Sequence, residues 1–87
     1  MGKYACRTDP AHASIRDGLR QHGWLVFDAR GLASGGPDLI AVTPQKHVRL
    51  LEVKRPRGRL KPKQQALLDQ GWPIHIVTSL DEALATR

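Results

Sequence analysis

The stretch Gly-Gly-Pro-Asp-Leu-Ile-Ala-Val spans residues 35–42, and after a short break Val-Arg-Leu-Leu-Glu-Val-Lys spans residues 48–54. Each is an apolar run of strand length with charged side chains at one end: Asp38 opens the first, and Glu52 and Lys54 close the second. Glu52 and Lys54 project to the same side, because successive strand side chains alternate between faces. A hairpin-like pairing of the runs would bring Asp38 close to Glu52, so two carboxylates and an ammonium group would converge at the edge of a small sheet.

The elements around these two runs predict one α/β domain. Asp9 before Pro10 marks a helix start, and apolar residues at helical spacing continue the helix to about His22. Strands are predicted at 24–27, 38–42, 47–54 and 74–78, and further helices at 62–70 and 79–85. The order α-β-β-β-α-β-α predicts a small mixed β-sheet flanked by helices, in a single domain over residues 9–87 that follows a flexible segment at 1–8.

Composition and charge favour a basic protein that binds a polyanion. A chain of 87 residues has room for one core, and its net charge of +6 and pI near 10.3 favour a polyanionic partner. The basic side chains are concentrated at the end of the second run and directly after it, at Lys54, Arg55, Arg57, Arg59, Lys61 and Lys63. The sequence lacks a long apolar run and a signal-peptide core, and its single Cys6 excludes an internal disulfide, so we expect no membrane span and a cytoplasmic location.

The charged ends of the two runs are typical of a metal-dependent hydrolytic site. Burying Glu52 and Lys54 at the end of an apolar strand is unfavourable unless something compensates their charge, and a divalent cation between the carboxylates would do so. Mg²⁺ and Mn²⁺ prefer oxygen ligands of this kind. Plainer interpretations remain open: Asp38 as a turn residue, Glu52 and Lys54 as a solvated edge-strand pair, Gln64 as a surface amide, and the basic run as a solvated face.

The order and spacing of these residues resemble a known nuclease signature. Pro37-Asp38 followed by Glu52-Val53-Lys54 resembles the PD-(D/E)xK motif, and the addition of Gly36, Leu39 and Leu60-x-Pro62-x-Gln64 resembles its virus-type replication-repair branch, the VRR-NUC domain. The likeness runs from about Ile15 to Ala85 and implies a restriction-endonuclease-like core. It implies a catalytic set of Asp38, Glu52, Lys54 and Gln64. It also implies a Mg²⁺ or Mn²⁺ ion held by Asp38, Glu52 and the backbone carbonyl of Val53.

The leading functional prediction is therefore a metal-dependent, structure-selective DNA endonuclease. The resemblance implies a homodimer that cuts branched DNA such as four-way (Holliday) junctions. The residues predicted to bind nucleic acid through its phosphates are Arg55, Arg57, Arg59, Lys61 and Lys63. Two alternatives remain: a basic module that holds branched DNA without cutting it, and a small subunit that docks onto a larger replication or packaging protein.

Some residues depart from the family pattern or lie outside it. The first helix of such nucleases often carries an acidic residue one position before the one that matches Ile15, and this chain has Ser14 there, which would weaken a second metal site. The four histidines lack the spacing of metal ligands and are expected to be structural or on the surface. We expect both Trp24 and Trp72 in the core.

Overall fold

Along residues 10–32 and 35–87, the part of the chain that the computed structural model describes, helices and strands follow in the predicted order. They are α1 (Pro10–Gln21), β1 (Leu25–Asp28), β2 (Leu39–Val42), β3 (Val48–Val53), α2 (Pro62–Asp69), β4 (Ile74–Val77) and α3 (Leu80–Leu84). The predicted α/β class with a mixed sheet is confirmed. The segment 1–8, the Asp9 helix start and Cys6 lie outside the described residues.

The four strands form one mixed sheet in the order β1-β2-β3-β4 within these ranges. Both β1–β2 and β2–β3 are antiparallel, with Leu39 opposite Leu51, whereas β3 and β4 are parallel. Parallel neighbours need a long crossover, and the loop after β3 together with α2 supplies it. As a result, β3 and β4 end at the same edge of the sheet, where β1 also ends and β2 begins.

One face of the sheet packs against α1 and α3 and forms the core. Its buried residues are Leu39, Ala41, Leu51 and Val77 from the sheet, with Ile15, Leu19 and Ala83 from the helices. The chain turns from α1 into β1 through Gly23, whose φ of 86° favours glycine, so α1 runs back along β1. The N-terminal turn of α1 therefore lies at the edge where β1 ends. Within the described ranges, no helix has the length and apolar character needed to cross a membrane.

The opposite face of the sheet is apolar but largely uncovered. We call it the open sheet face, and it consists of Leu25, Phe27, Ile40, Val42, Val48, Leu50, Ile74 and Ile76. None of these side chains is fully buried, and Leu25 at one end is 64% exposed. Helix α2 approaches this side but has no fully buried residue of its own.

The two tryptophans differ in burial. Trp24 is buried in the core as predicted, but the same prediction for Trp72 is wrong, because that side chain is 53% exposed. Trp72 follows Gly71 in the turn that leaves α2, and its indole Nε1 donates to the exposed Gln70 side chain at 3.2 Å. Since α2 covers little of the sheet, a tryptophan just beyond its end has no core to enter.

Candidate active site

The sheet edge where β1 and β3 end and β2 begins collects the predicted catalytic residues, and we call it the site edge. Asp38 immediately precedes β2, and the register that pairs Leu39 with Leu51 places it opposite Glu52 when continued by one residue. The Asp38 carboxylate oxygen Oδ2 accepts a hydrogen bond from the Val53 N–H at 2.9 Å. A residue's N–H and C=O point to the same side of a strand, so the Val53 carbonyl is directed toward Asp38 as well.

Glu52 is the central group of the site edge. Glu52 is only 3% exposed. A carboxylate is rarely buried to this extent unless nearby groups compensate its charge. The Gln64 amide Nε2 donates to Glu52 Oε2 at 2.6 Å, and the Lys54 ammonium group lies 3.4 Å from the same oxygen. Asp38, Glu52, Lys54 and Gln64, which are separated in sequence by up to 26 positions, therefore meet at one edge.

Gln64 is fixed from both ends of its amide. While Nε2 donates to Glu52, Oε1 accepts the backbone N–H of Lys61 at 2.8 Å, at the start of α2. The Gln64 side chain thus connects helix α2 to the sheet and orients the buried carboxylate. Gln64 does more here than occupy the helix surface.

The electrostatics of the pair favour a bound cation. Burial, and next the negative charge of Asp38, raise the pKa of Glu52 to about 7, and Lys54 and Gln64 only partly oppose this. Because ionisation of Glu52 beside a second carboxylate is unfavourable, a divalent cation bound there would stabilise the ionised form of the pair.

The oxygen atoms at the site edge fit a hard ion such as Mg²⁺ or Mn²⁺. In the described part of the chain, the hydrogen bonds leave Asp38 Oδ1 and Glu52 Oε1 without a donor. No three His, Cys, Asp or Glu side chains of the described residues are grouped to hold a metal. The two carboxylates and the Val53 carbonyl are the oxygen donors that could hold such an ion, with water completing its shell.

The predicted phosphate-binding residues divide into two groups. All five are exposed, but only Lys61 and Lys63 line the cavity of about 490 Å³ that opens beside Asp38. Arg55 and Arg57 belong to a tight turn closed by the Gly58 N–H on the Arg55 carbonyl at 2.8 Å. That turn directly follows the site edge in the chain. The cavity is lined by Arg30, Gly31, Gly35, Gly36, Asp38, Lys61, Pro62, Lys63 and Gln64.

The charged pair of Asp28 and Arg30 at the end of β1 was not among the predicted site residues. Arg30 Nε donates to Asp28 Oδ1 at 3.1 Å and Nη2 to Oδ2 at 2.9 Å, so the guanidinium group binds the carboxylate through two nitrogens. The signal was available, because β1 must end at the same edge at which β2 begins. A charged pair just beyond an apolar strand was therefore a candidate for the site edge.

His12 and Ser14, both in the first turns of α1, differ in burial. Ser14 is exposed, whereas His12 is 2% exposed in the N-terminal turn of α1 and has no hydrogen-bond partner for either ring nitrogen among the described residues. Burial, followed by the charge of Arg30, lowers the pKa of His12 and keeps the imidazole neutral. The spacing of His12 with Ile15 and Leu19 would have identified it as the inward-facing residue.

Comparison with known proteins identifies the fold and the family of this chain. A model of the VRR-NUC domain family matches residues 4–71. A solved structure described as a VRR_NUC domain superposes with a TM-score of 0.66 at 21% identity, covering 86% of this chain and 87% of its own, so the two share a fold. Among curated proteins, no sequence matches this chain. Because the family match spans most of the sequence and includes every residue of the site edge named above, the chain belongs to the VRR-NUC domain family.

Proposed function

We propose that this protein is a divalent-metal-dependent endonuclease that hydrolyses phosphodiester bonds in DNA. The observation that carries the proposal is the buried Glu52 carboxylate, contacted by Lys54 and Gln64, with Asp38 held beside it by the N–H of the next residue, Val53. Membership of a nuclease-associated domain family supports a nuclease-type function in general. The metal and the substrate structure are parts of our proposal.

In this proposal Asp38, Glu52 and the Val53 carbonyl hold Mg²⁺ or Mn²⁺. The ion would supply a bound water of lowered pKa and offset the charge that builds on the phosphate oxygens. Asp38 is held against β3 by the Val53 N–H, so its position is set by the backbone. Gln64 holds Glu52 in place, which keeps the two carboxylates oriented toward one ion.

Lys54 contributes a positive charge beside the reacting phosphate. Its ammonium group lies on the same side of β3 as Glu52 and contacts it at 3.4 Å. From this position it either orients the attacking water or binds a phosphate oxygen. Both roles need the charge near Glu52, so replacing Lys54 by an uncharged residue should slow cleavage under either one.

Three further features complete the proposal. We propose branched DNA, such as four-way junctions, as the substrate on the strength of the family resemblance alone, and the exposed basic residues after β3 would bind its phosphates without sequence choice. We propose a homodimer, which would present two sites to a two-fold symmetric junction. We also propose a cytoplasmic location, which suits a DNA substrate and a single cysteine.

Cleavage assays test the proposal directly. Labelled junction, flap and duplex DNA are incubated with wild-type protein, with and without Mg²⁺ or Mn²⁺, and compared with Glu52→Gln. We expect metal-dependent cleavage of branched substrates by the wild type and at least 100-fold less by Glu52→Gln, in line with the loss of a metal-binding group. Asp81→Asn, which removes an exposed carboxylate from α3, is the matched control and should cut normally. Folded wild-type protein that cuts none of these DNAs would refute the proposal.

A binding module without catalytic activity is the second candidate. The exposure of Arg57 and Arg59, outside the cavity, favours it, because they are placed to bind DNA whether or not the site edge is active. The two candidates differ in how they respond to mutation. If Asp38→Asn changes no activity while charge reversal of Arg57 and Arg59 abolishes DNA binding, the binding module is the better description.

A further inference from the structure

We infer that the cavity beside Asp38 binds a second phosphate group of the DNA strand, next to the one that is cut, and that Arg30 is the residue that binds it. This inference rests on the proposed function and extends it to a residue outside the predicted catalytic set. It assigns a role to Asp28 as well, which positions Arg30 without touching the DNA. The ligand class is a phosphodiester in a nucleic acid strand.

Arg30 is held at the wall of the cavity by hydrogen bonds to Asp28. Its two side-chain contacts with Asp28 measure 3.1 and 2.9 Å, and its backbone N–H also donates to Asp28 Oδ1 at 3.1 Å. Asp28 is the last residue of β1 and is paired with Leu39 in the sheet, so the arginine is anchored to a strand. A preorganised guanidinium group loses less conformational freedom when it binds a phosphate than a mobile one does.

The contacts with Asp28 leave part of the guanidinium group available. They use Nε and Nη2, and in the described part of the chain no hydrogen bond is made by Nη1. The side chain is 37% exposed, so a ligand in the cavity can reach it. Hydrogen bonding to Asp28 raises the pKa of Arg30, which therefore stays charged while it shares its donors between the carboxylate and a phosphate.

The two walls of the cavity carry the same sign of charge. Arg30 stands on the wall formed by the end of β1, and Lys61 and Lys63 stand on the wall formed by the start of α2. The single carboxylate in the lining is Asp38, which we assign to the metal ion. Once that carboxylate is neutralised by a cation, the remaining charge in the lining is positive and selects an anion.

Glycine sets the distance between the walls. Gly35 has a φ of +81°, and a Cβ atom built on it would lie 2.6 Å from Cβ of Lys63. The loop backbone therefore approaches α2 more closely than a side chain would permit. The cavity of about 490 Å³ falls within the range typical of small-ligand sites and exceeds the needs of a metal ion with its waters. Its position next to Asp38 suits the phosphate that neighbours the scissile one.

Binding measurements over a range of salt concentrations test the inference without requiring turnover. Fluorescence anisotropy of a labelled four-way junction in Mg²⁺ is followed with the parent protein, Arg30→Gln and Arg30→Lys, all carrying Lys54→Gln, which slows cleavage and leaves Asp38 and Glu52 to bind the cation. Arg30→Gln should bind roughly tenfold more weakly, and the slope of log K against log salt should fall by roughly 0.9, the value for one lost phosphate contact. Arg30→Lys should keep the slope, because its charge is kept, and lose part of the affinity.

Arg20→Gln is the matched control. It also removes one positive charge, but Arg20 lies near the C-terminal end of α1, away from the site edge, where its side chain donates to the Val26 carbonyl at 2.9 Å. We expect it to bind like the parent protein. If Arg20→Gln and Arg30→Gln lower the slope equally, or if neither does, the cavity has no phosphate subsite and the inference is wrong.

A second variant separates a binding role from a folding role. Asp28→Asn keeps the Arg30 charge but removes its anchor, so we expect weaker binding with an unchanged salt slope and an unchanged circular dichroism spectrum. In a protein that cuts DNA, Arg30→Gln should raise KM more than it lowers kcat. Absence of cleavage by the wild type would refute the proposed function alone, since the binding slopes still decide whether Arg30 contacts a phosphate.

Discussion

At the scale of single residues, Glu52 has the strongest physical signature in the molecule. Its carboxylate is buried near that of Asp38 and is held there by the sheet register, by Gln64 and by Lys54. Burial and the charge of Asp38 raise its pKa. Shifted pKa values of this kind are common at functional sites, because such sites bury ionisable groups and place like charges close together. The residue therefore links function to stability, and the link is measurable.

Glu52 should make the metal-free protein less stable as the pH rises. The folded protein retains a proton on Glu52 up to about pH 7, whereas the unfolded chain loses it near the ordinary value of 4.5. The stabilisation from this group is thus complete below pH 4.5 and lost as the pH rises through 7, an effect of up to about 3 kcal/mol. Denaturant unfolding in EDTA at pH 5 and pH 8 should show a larger fall in the free energy of unfolding for wild type than for Glu52→Gln.

Addition of Mg²⁺ or Mn²⁺ at pH 8 provides the control for this prediction. The ion should recover much of the lost stability in the wild type and little in Glu52→Gln, because ligands that bind only the folded state stabilise it. Equal pH dependence in the two proteins would show that Glu52 ionises normally and that the site edge is more hydrated than its burial indicates.

At the scale of elements, the site depends on the close approach of the loop after β1 to the start of α2, where Gly35 meets Lys63. Gly35→Ala should disrupt that contact in two ways, because alanine disfavours the φ of +81° and its Cβ would collide with Lys63. We expect a loss of about 1–2 kcal/mol in the free energy of unfolding from the backbone alone, and a clear loss of DNA cleavage from the displaced α2.

Gly71→Ala is the control for the backbone effect. Gly71 has a φ of +99° at the other end of α2, and an added Cβ would meet nothing within 4 Å. Chemical denaturation should show the backbone cost in both variants and an additional cost from the collision in Gly35→Ala, whereas cleavage should fall only for Gly35→Ala. If both variants cut DNA equally well, the approach of the loop to α2 is not needed for the site.

The elements were predictable from sequence to the extent that local signals define them. Strand alternation and the Pro37-Asp38 entry gave β2 and β3, and their antiparallel register then brought Asp38 near Glu52. Trp72 was misassigned because its burial depends on how much of the sheet α2 covers, which no local pattern encodes. The place of Arg30 at the site edge could be predicted from the end of β1, but its cavity could not, because the cavity exists only when the loop after β1 meets the start of α2.

At the scale of the whole molecule, helices α1 and α3 cover one face of the sheet, whereas the open sheet face is apolar and largely uncovered. A chain of 87 residues buries only about 60–65% of its unfolded surface. Exposing an apolar face of this kind to water would therefore lower the stability of a monomer. Its members come from all four strands, which makes the face continuous. A second copy of the chain, packed face to face about a two-fold axis, is the occupant that our proposed homodimer supplies.

Substitution on the open sheet face should therefore change the oligomeric state. Leu25→Lys places a charge on the face, where it would be buried without a partner in a dimer, so we expect monomers in sedimentation or light-scattering measurements at concentrations at which the wild type is dimeric. Leu32→Lys is matched to it, since Leu32 is 65% exposed against 64% for Leu25 but lies in the loop after β1, off the face. It should leave the dimer intact. A wild type that remains monomeric at high micromolar concentration, or two variants with equal effects, would mean that this face is covered by something other than a second copy.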